Sequence, residues 1–103
     1  TQFRVVMTNW YYRKQFRVLS FGVEVLYRLL PDDLQNIRGS VMYSEIEKVD
    51  VTLNSIAQPS FVVHCKQRGD DRHYAAENES DMKRMISLFE SHLGKDAVHV
   101  DTL

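Results

Sequence analysis

Apolar and polar residues alternate along most of this chain, and the alternation gives way only near its end. Over 2–8, Phe3, Val5 and Met7 share one parity while Arg4 and Val6 take the other, the pattern of an extended strand with one buried face. The run Asn9-Trp10-Tyr11-Tyr12-Arg13-Lys14 predicts a turn that opens a second strand over 16–20. After a turn at Phe21-Gly22, Val23, Val25, Tyr27 and Leu29 alternate with Glu24, Leu26, Arg28 and Leu30, which predicts a hairpin partner. Pro31-Asp32-Asp33 is turn chemistry, and a further bend is expected at Arg38-Gly39-Ser40. A fourth strand is expected over 40–44, and a fifth, bent and half-buried, carries Ile46, Val49, Val51 and Leu53. The segment 54–60, with Pro59, reads as a loop. Phe61, Val63 and Cys65 then alternate with Val62, His64 and Lys66, Arg68-Gly69-Asp70-Asp71 turns, and 72–76 pairs back.

The period then changes. Met82, Met85, Ile86, Phe89 and Leu93 fall at i, i+3, i+4, i+7 and i+11, one stripe of an amphipathic helix. Asn78 or Ser80 can cap its start, Glu79 and Asp81 suit the positive end of the helix dipole, and Gly94 can end it. The expected organisation is one domain over 1–94 followed by a polar tail over 95–103. Seven strands in consecutive hairpins and one helix predict a mainly β fold with a C-terminal α-helix. The architecture is a seven-stranded antiparallel barrel or sandwich, with the apolar stripe of the helix closing one open end.

Length and composition agree with this. A chain of 103 residues makes one domain, and 44% hydrophobic with 26% charged residues excludes low-complexity disorder. No apolar run approaches the roughly 20 residues that cross a bilayer. The single cysteine, Cys65, cannot form an internal disulfide, which points to a reducing, cytoplasmic setting. A net charge of -1 argues against nucleic acid as the partner. The chain opens on Thr1 instead of Met, so a module of a larger intracellular protein is expected.

This order of elements resembles the pleckstrin-homology-like superfold. The segment Arg13-Lys14-Gln15-Phe16-Arg17-Val18-Leu19-Ser20 is similar to the basic, aromatic and aliphatic second strand of pleckstrin-homology domains, with the Gly22 turn and Val25-Leu26-Tyr27 following as the third. Val41-Met42-Tyr43-Ser44-Glu45-Ile46-Glu47-Lys48-Val49 resembles the strand, Ser-acid-Ile turn and Val that come next. Phe61-Val62-Val63-His64-Cys65 and Tyr74-Ala75-Ala76-Glu77 resemble the last two strands, and 81–93 the terminal helix. Together they span about 3–93. The chain departs from the pattern twice. The tryptophan that plugs the core of most such domains is matched by Met85, which fills the gap more loosely. Members that bind inositol phosphates carry a lysine late in the first strand and a basic-x-arginine pair in the second; here Arg13 matches the first of that pair, Gln15 stands at the second, and Met7-Thr8-Asn9 offers no lysine. Relatives of phosphotyrosine-binding type take a peptide as an added strand beside the terminal helix, and the matching edge here is 49–53 or 54–60.

The candidate ligand-binding residues, for an anionic lipid or an acidic partner, are Arg13, Lys14, Arg17 and Arg28, placed near the open end of one hairpin. Trp10, Tyr11 and Tyr12 form the densest aromatic cluster, a candidate partner contact or membrane-interface anchor. No catalytic residue, metal site or cofactor is called for. The histidines are scattered, and His64 and Cys65 are strand neighbours whose side chains point to opposite faces. Asp32-Asp33, Asp70-Asp71 and the Arg68-Gly69-Asp70 triplet read as turn chemistry. The reading is a non-catalytic binding module acting as a scaffold or adaptor for a protein partner. Its alternative is recruitment to anionic, phosphoinositide-containing membrane through the basic hairpin. An uncovered edge strand leaves self-association open.

Overall fold

The computed structural model describes residues 1–9, 11–54 and 56–103. Among the described residues, eight strands form one curled sheet: β1 (Gln2–Thr8), β2 (Lys14–Phe21), β3 (Val25–Leu30), β4 (Asp33–Met42), β5 (Ile46–Leu53), β6 (Ser60–Cys65), β7 (Arg72–Ala76) and β8 (Val98–Thr102). The spatial order is β4-β3-β2-β1-β7-β6-β5-β8, so the sheet ends on β4 at one edge and β8 at the other. Alternation sets the faces. Phe3, Val5 and Met7 of β1, Leu19 and Phe21 of β2, Leu26 of β3, Val49 and Val51 of β5, Phe61 and Val63 of β6 and Tyr74 and Ala76 of β7 all join one core.

The helix α1 (Glu79–Leu93) closes that core. Asn78 caps it, its side chain accepting a hydrogen bond from the Asp81 N–H at 2.8 Å, and Gly94 ends it at φ 91°, a conformation glycine adopts without strain. Met82, Met85 and Phe89 are completely buried. Phe89 meets Phe21 edge-on at 5.0 Å and Phe61 at 6.0 Å between ring centroids, so the helix stitches the two halves of the sheet together. Met85 therefore stands fully inside the core at the position matched to tryptophan. Among the described residues, no helix is long and apolar enough to cross a membrane.

Three features differ from the sequence reading. The fourth strand begins at Asp33, not near 40, and at Arg38, where a bend is expected, it continues as a strand with a shift of register against β3 that sets Arg28 opposite Gly39 and Leu29 opposite Ile37. Its first residues are all exposed, and the apolar Leu34 and Ile37 among them stand three apart, so no alternation marks the strand. The strand then ends in a short 3-10 turn over Tyr43–Glu45. The segment read as a polar tail makes a second such turn at Lys95–Ala97 and then the eighth strand, β8, parallel to β5 with Val49 opposite Val98 and Leu53 opposite Thr102. That pairing covers the 49–53 edge, where the phosphotyrosine-binding likeness placed an added peptide, with the chain's own strand.

Candidate functional site

The loop from β1 to β2 is built around Asn9. Its side-chain oxygen accepts from the Arg13 N–H at 2.9 Å and the Tyr11 N–H at 3.3 Å, and its backbone exchanges bonds with Tyr12 and Arg13. This tight closure forces Tyr12 to φ 64°, a left-handed conformation that side chains seldom adopt, and leaves its ring almost wholly exposed. Tyr11 is half exposed, with the Arg13 guanidinium 5.9 Å from its ring centre. Trp10 lies outside the described residues.

The basic residues separate by parity. Lys14 pairs with Thr8 and lies on the outer face of β2 with Phe16, while Arg13 stays on the loop. Arg17 shares its parity with Leu19 and Phe21, and Arg28 sits opposite Leu19, so both belong to the inner face at the mouth of the fold. Two further arginines join them. Arg72 has the inner parity of Tyr74 on β7, and Arg38 on β4 is close enough to act on Arg17. The Arg17 guanidinium is held below its ordinary value, first by burial and then by repulsion from Arg38 and Arg28. Among the described residues, Arg17, Arg28, Arg38 and Arg72 form no ion pair with any carboxylate.

Arg28 is positioned by its neighbours. It donates to the Met7 sulfur at 3.3 Å and lies against β4 at Gly39, where a methyl group would overlap its guanidinium. Burial pushes up the phenol of Tyr74, with Arg28 pulling the other way. Gly39→Ala is therefore expected to swing Arg28 out of place. Stability should change by no more than about 1 kcal/mol, because the displaced group is the free end of a flexible side chain and alanine narrows the unfolded ensemble. Anion binding should weaken several-fold, measured on the same preparation as the thermal midpoint.

Arg28 and Arg72 line two openings. One is a cleft of about 770 Å³ between the β1–β2 loop and the β6–β7 hairpin, with Met7, Thr8, Tyr12 and His73 on its walls. The other, about 370 Å³, runs between β3–β4 and β6–β7 past Ser40, Cys65 and Tyr74. Burial and the nearby Asp70 and Asp71 push the Cys65 thiol up, which makes it a poor nucleophile.

Asp71, at the cleft wall, is engaged elsewhere. It accepts from the Cys65 N–H at 3.0 Å and faces His64 Nδ1 at 2.8 Å, while His64 Nε2 faces Asp50 at 2.9 Å. The hairpin is thus tied to β5 across β6, a link the reading of Asp70-Asp71 as local turn chemistry did not contain. The Cys65 N–H and then His64 hold the Asp71 carboxyl below the usual carboxylate range. A depressed folded-state value stabilises above the unfolded value of about 3.9, and that stability is lost as pH falls through the folded-state value. Asp71→Asn is expected to cost about 1 kcal/mol at neutral pH, with the gap from the native protein narrowing in acid; urea unfolding at both ends of the range measures it.

The structure thus brings Arg17 and Arg28 together and adds Arg38 and Arg72, while Arg13, Lys14 and the two described tyrosines lie on and beside the adjoining loop. The sequence signal for Arg72 was its parity with Tyr74 and Ala76, a charged residue on an otherwise inward-facing register.

No protein-family model matches this chain, and no curated protein matches it in sequence. Solved structures do. The Slm1-PH domain in complex with phosphoserine superposes with a TM-score of 0.69 at 17% identity, over 89% of this chain and 90% of that one. The same domain with inositol-4-phosphate gives 0.67 at 16% identity, over 90% of this chain and 92% of that one. The PH domain of human oxysterol binding protein-related protein 11 gives 0.65 at 13% identity, covering 90% and 82%.

Proposed function

We propose that this chain, whose fold is pleckstrin-homology-like, is a non-catalytic targeting module that takes a phosphorylated, anionic headgroup of a membrane lipid in the arginine-lined cleft. The observation that carries the reading is that Arg28 and Arg72 line one cleft while Arg17 stands near Arg28 and Arg38 against their repulsion, and among the described residues no carboxylate is paired to any of the four. Guanidinium groups suit phosphate because their planar donors engage its oxygens two at a time. Arg72 and Arg38 supply positive charge that Gln15 and the lysine-free end of β1 do not. Beside the cleft, Tyr11 and Tyr12 are suited to the headgroup layer, and Arg13 and Lys14 each add about 1 kcal/mol near an anionic surface. The Slm1-PH domain, similar in fold, has been solved with phosphoserine and with inositol-4-phosphate, which supports phosphate-bearing ligands as the class to test.

The test is co-sedimentation with neutral, phosphatidylserine and phosphoinositide vesicles at two salt concentrations. Selective binding to phosphoinositide vesicles that weakens with salt is expected, since exposed charges are screened beyond about 10 Å at 0.1 M. Failure to bind any of the vesicles would leave the other reading, a protein partner. That reading is favoured by the exposed apolar side chains Phe16, Leu34 and Ile37 on the far side of the sheet.

A further inference from the structure

The outer face of β1–β4 carries an apolar patch where a solvated sheet would be polar. In register across it, Val6 lies opposite Phe16, Val18 opposite Leu29, and Leu29 opposite Ile37. Val18 and Leu29 are only 5% exposed, yet neither belongs to the main core. They form the floor of a second, outward-facing cluster. Around them stand Phe16, 71% exposed, Ile37, 57%, and Leu34, 47%. The β3–β4 turn folds over this face, and Pro31 and Leu34 with Gln2, Arg4 and Val18 bound a hollow of about 190 Å³. A half-open hollow next to a protruding aromatic ring is the form of an anchor site.

Charge selects the occupant. Arg4 lies opposite Val18 and Lys14 precedes Phe16 along the same face, while the outward positions of β1, β2 and β3 carry no acid. A second copy docked face to face would set these cations against their own images, which disfavours it. A flat anionic membrane would also meet Asp32 and Asp33 at the turn beside Leu34. A narrow segment avoids both. We infer that this face docks a short segment of a partner protein that carries apolar anchors flanked by acidic residues. The anchors seat between Phe16, Leu34 and Ile37, and the acids meet Arg4 and Lys14.

The site lies on the face of the sheet opposite the arginine-lined cleft, and because Lys14 also borders the membrane-facing loop, its test is read on peptide binding and not on vesicles. A phage-displayed library of random short peptides is selected against the 103-residue chain. Enrichment of peptides with two or more apolar residues and net negative charge is expected. Their affinity should fall at least about tenfold in the double variant Phe16→Ser/Ile37→Ser, the loss of two anchors, and several-fold in Arg4→Glu/Lys14→Glu. Both substitutions are at exposed positions, and circular dichroism with a thermal melt confirms that the variants stay folded. Arg28→Gln should leave peptide binding intact. The inference is overturned by no enrichment, by enriched peptides without acids, or by peptides indifferent to Phe16→Ser/Ile37→Ser. It is equally overturned if that variant instead dissolves a dimer seen by sedimentation, or abolishes vesicle binding while sparing peptides.

Discussion

Replacing Phe89 by alanine is expected to destabilise the domain by about 3–5 kcal/mol, the largest effect of any single substitution considered. Phe89 is fully buried, and its ring touches Phe21 from one half of the sheet and Phe61 from the other. Truncation removes both ring contacts and leaves a void between α1 and the sheet that the strands cannot collapse to fill, since their backbones are fixed by ladder hydrogen bonds on both sides. A domain of this size has a total stability of about 5–15 kcal/mol, so the variant sits close to unfolding. Each kcal/mol moves the midpoint of a domain this small by roughly 4–8 °C, and a drop of at least about 12 °C is expected in a thermal melt. Ser87, exposed on the same helix, supplies the comparison: Ser87→Ala should stay within about 0.5 kcal/mol of the native protein. A loss below about 1 kcal/mol at Phe89 would mean that the helix is not integral to the core.

How far the sequence reveals this architecture depends on whether an element hides one face. The period of Met82, Met85 and Phe89 marked α1, and its caps Asn78 and Gly94 lay where the pattern ended. Strands with one buried face, such as β1 and β7, could be read to their ends for the same reason. β4 could not. It is an edge strand, exposed on both faces over most of its length, so nothing in Asp33-Leu34-Gln35-Asn36 alternates. β8 buries only Val98, and its partner β5 lies more than forty residues earlier, so its pairing leaves no local trace.

The site divides in the same way. The likeness to pleckstrin-homology domains directed attention to the β1–β2 hairpin, and Arg17 and Arg28 do face the mouth. Arg72 and Arg38 arrive from β7 and β4, and only the curl of the sheet brings them near. Inward parity separates Arg17 and Arg28 from Lys14, and counting from Leu19 and Leu26 would have drawn that line without coordinates. The His64 link from Asp50 to Asp71 spans three segments and rests on rotamers, which no spacing rule encodes.

Arg28→Gln and Arg72→Gln are each expected to reduce binding of a phosphoinositide headgroup by roughly tenfold to a hundredfold. A hydrogen bond to a charged group contributes about 1.5–3 kcal/mol, and 1.4 kcal/mol is a factor of ten. Both side chains line the same cleft from opposing strands, so the double variant should fall below detection in vesicle co-sedimentation. Folding should survive. Among the described residues neither guanidinium is paired with a carboxylate, and the relief of Arg28's repulsion of Arg17 offsets part of the loss of its contacts with Met7 and Tyr74, so the melting midpoint should fall by no more than a few degrees. Arg28→Lys separates charge from geometry: a lysine keeps the positive charge but not the planar fork, and binding between that of the native protein and Arg28→Gln is expected. Lys83→Gln on the exposed face of α1, where Lys83 pairs with Glu79 at 3.3 Å, tests whether any cation would serve. It should leave binding unchanged. Equal losses at Lys83 and Arg28 would mean that net charge attracts the vesicle and the cleft holds nothing, and the membrane reading would then give way to the protein partner.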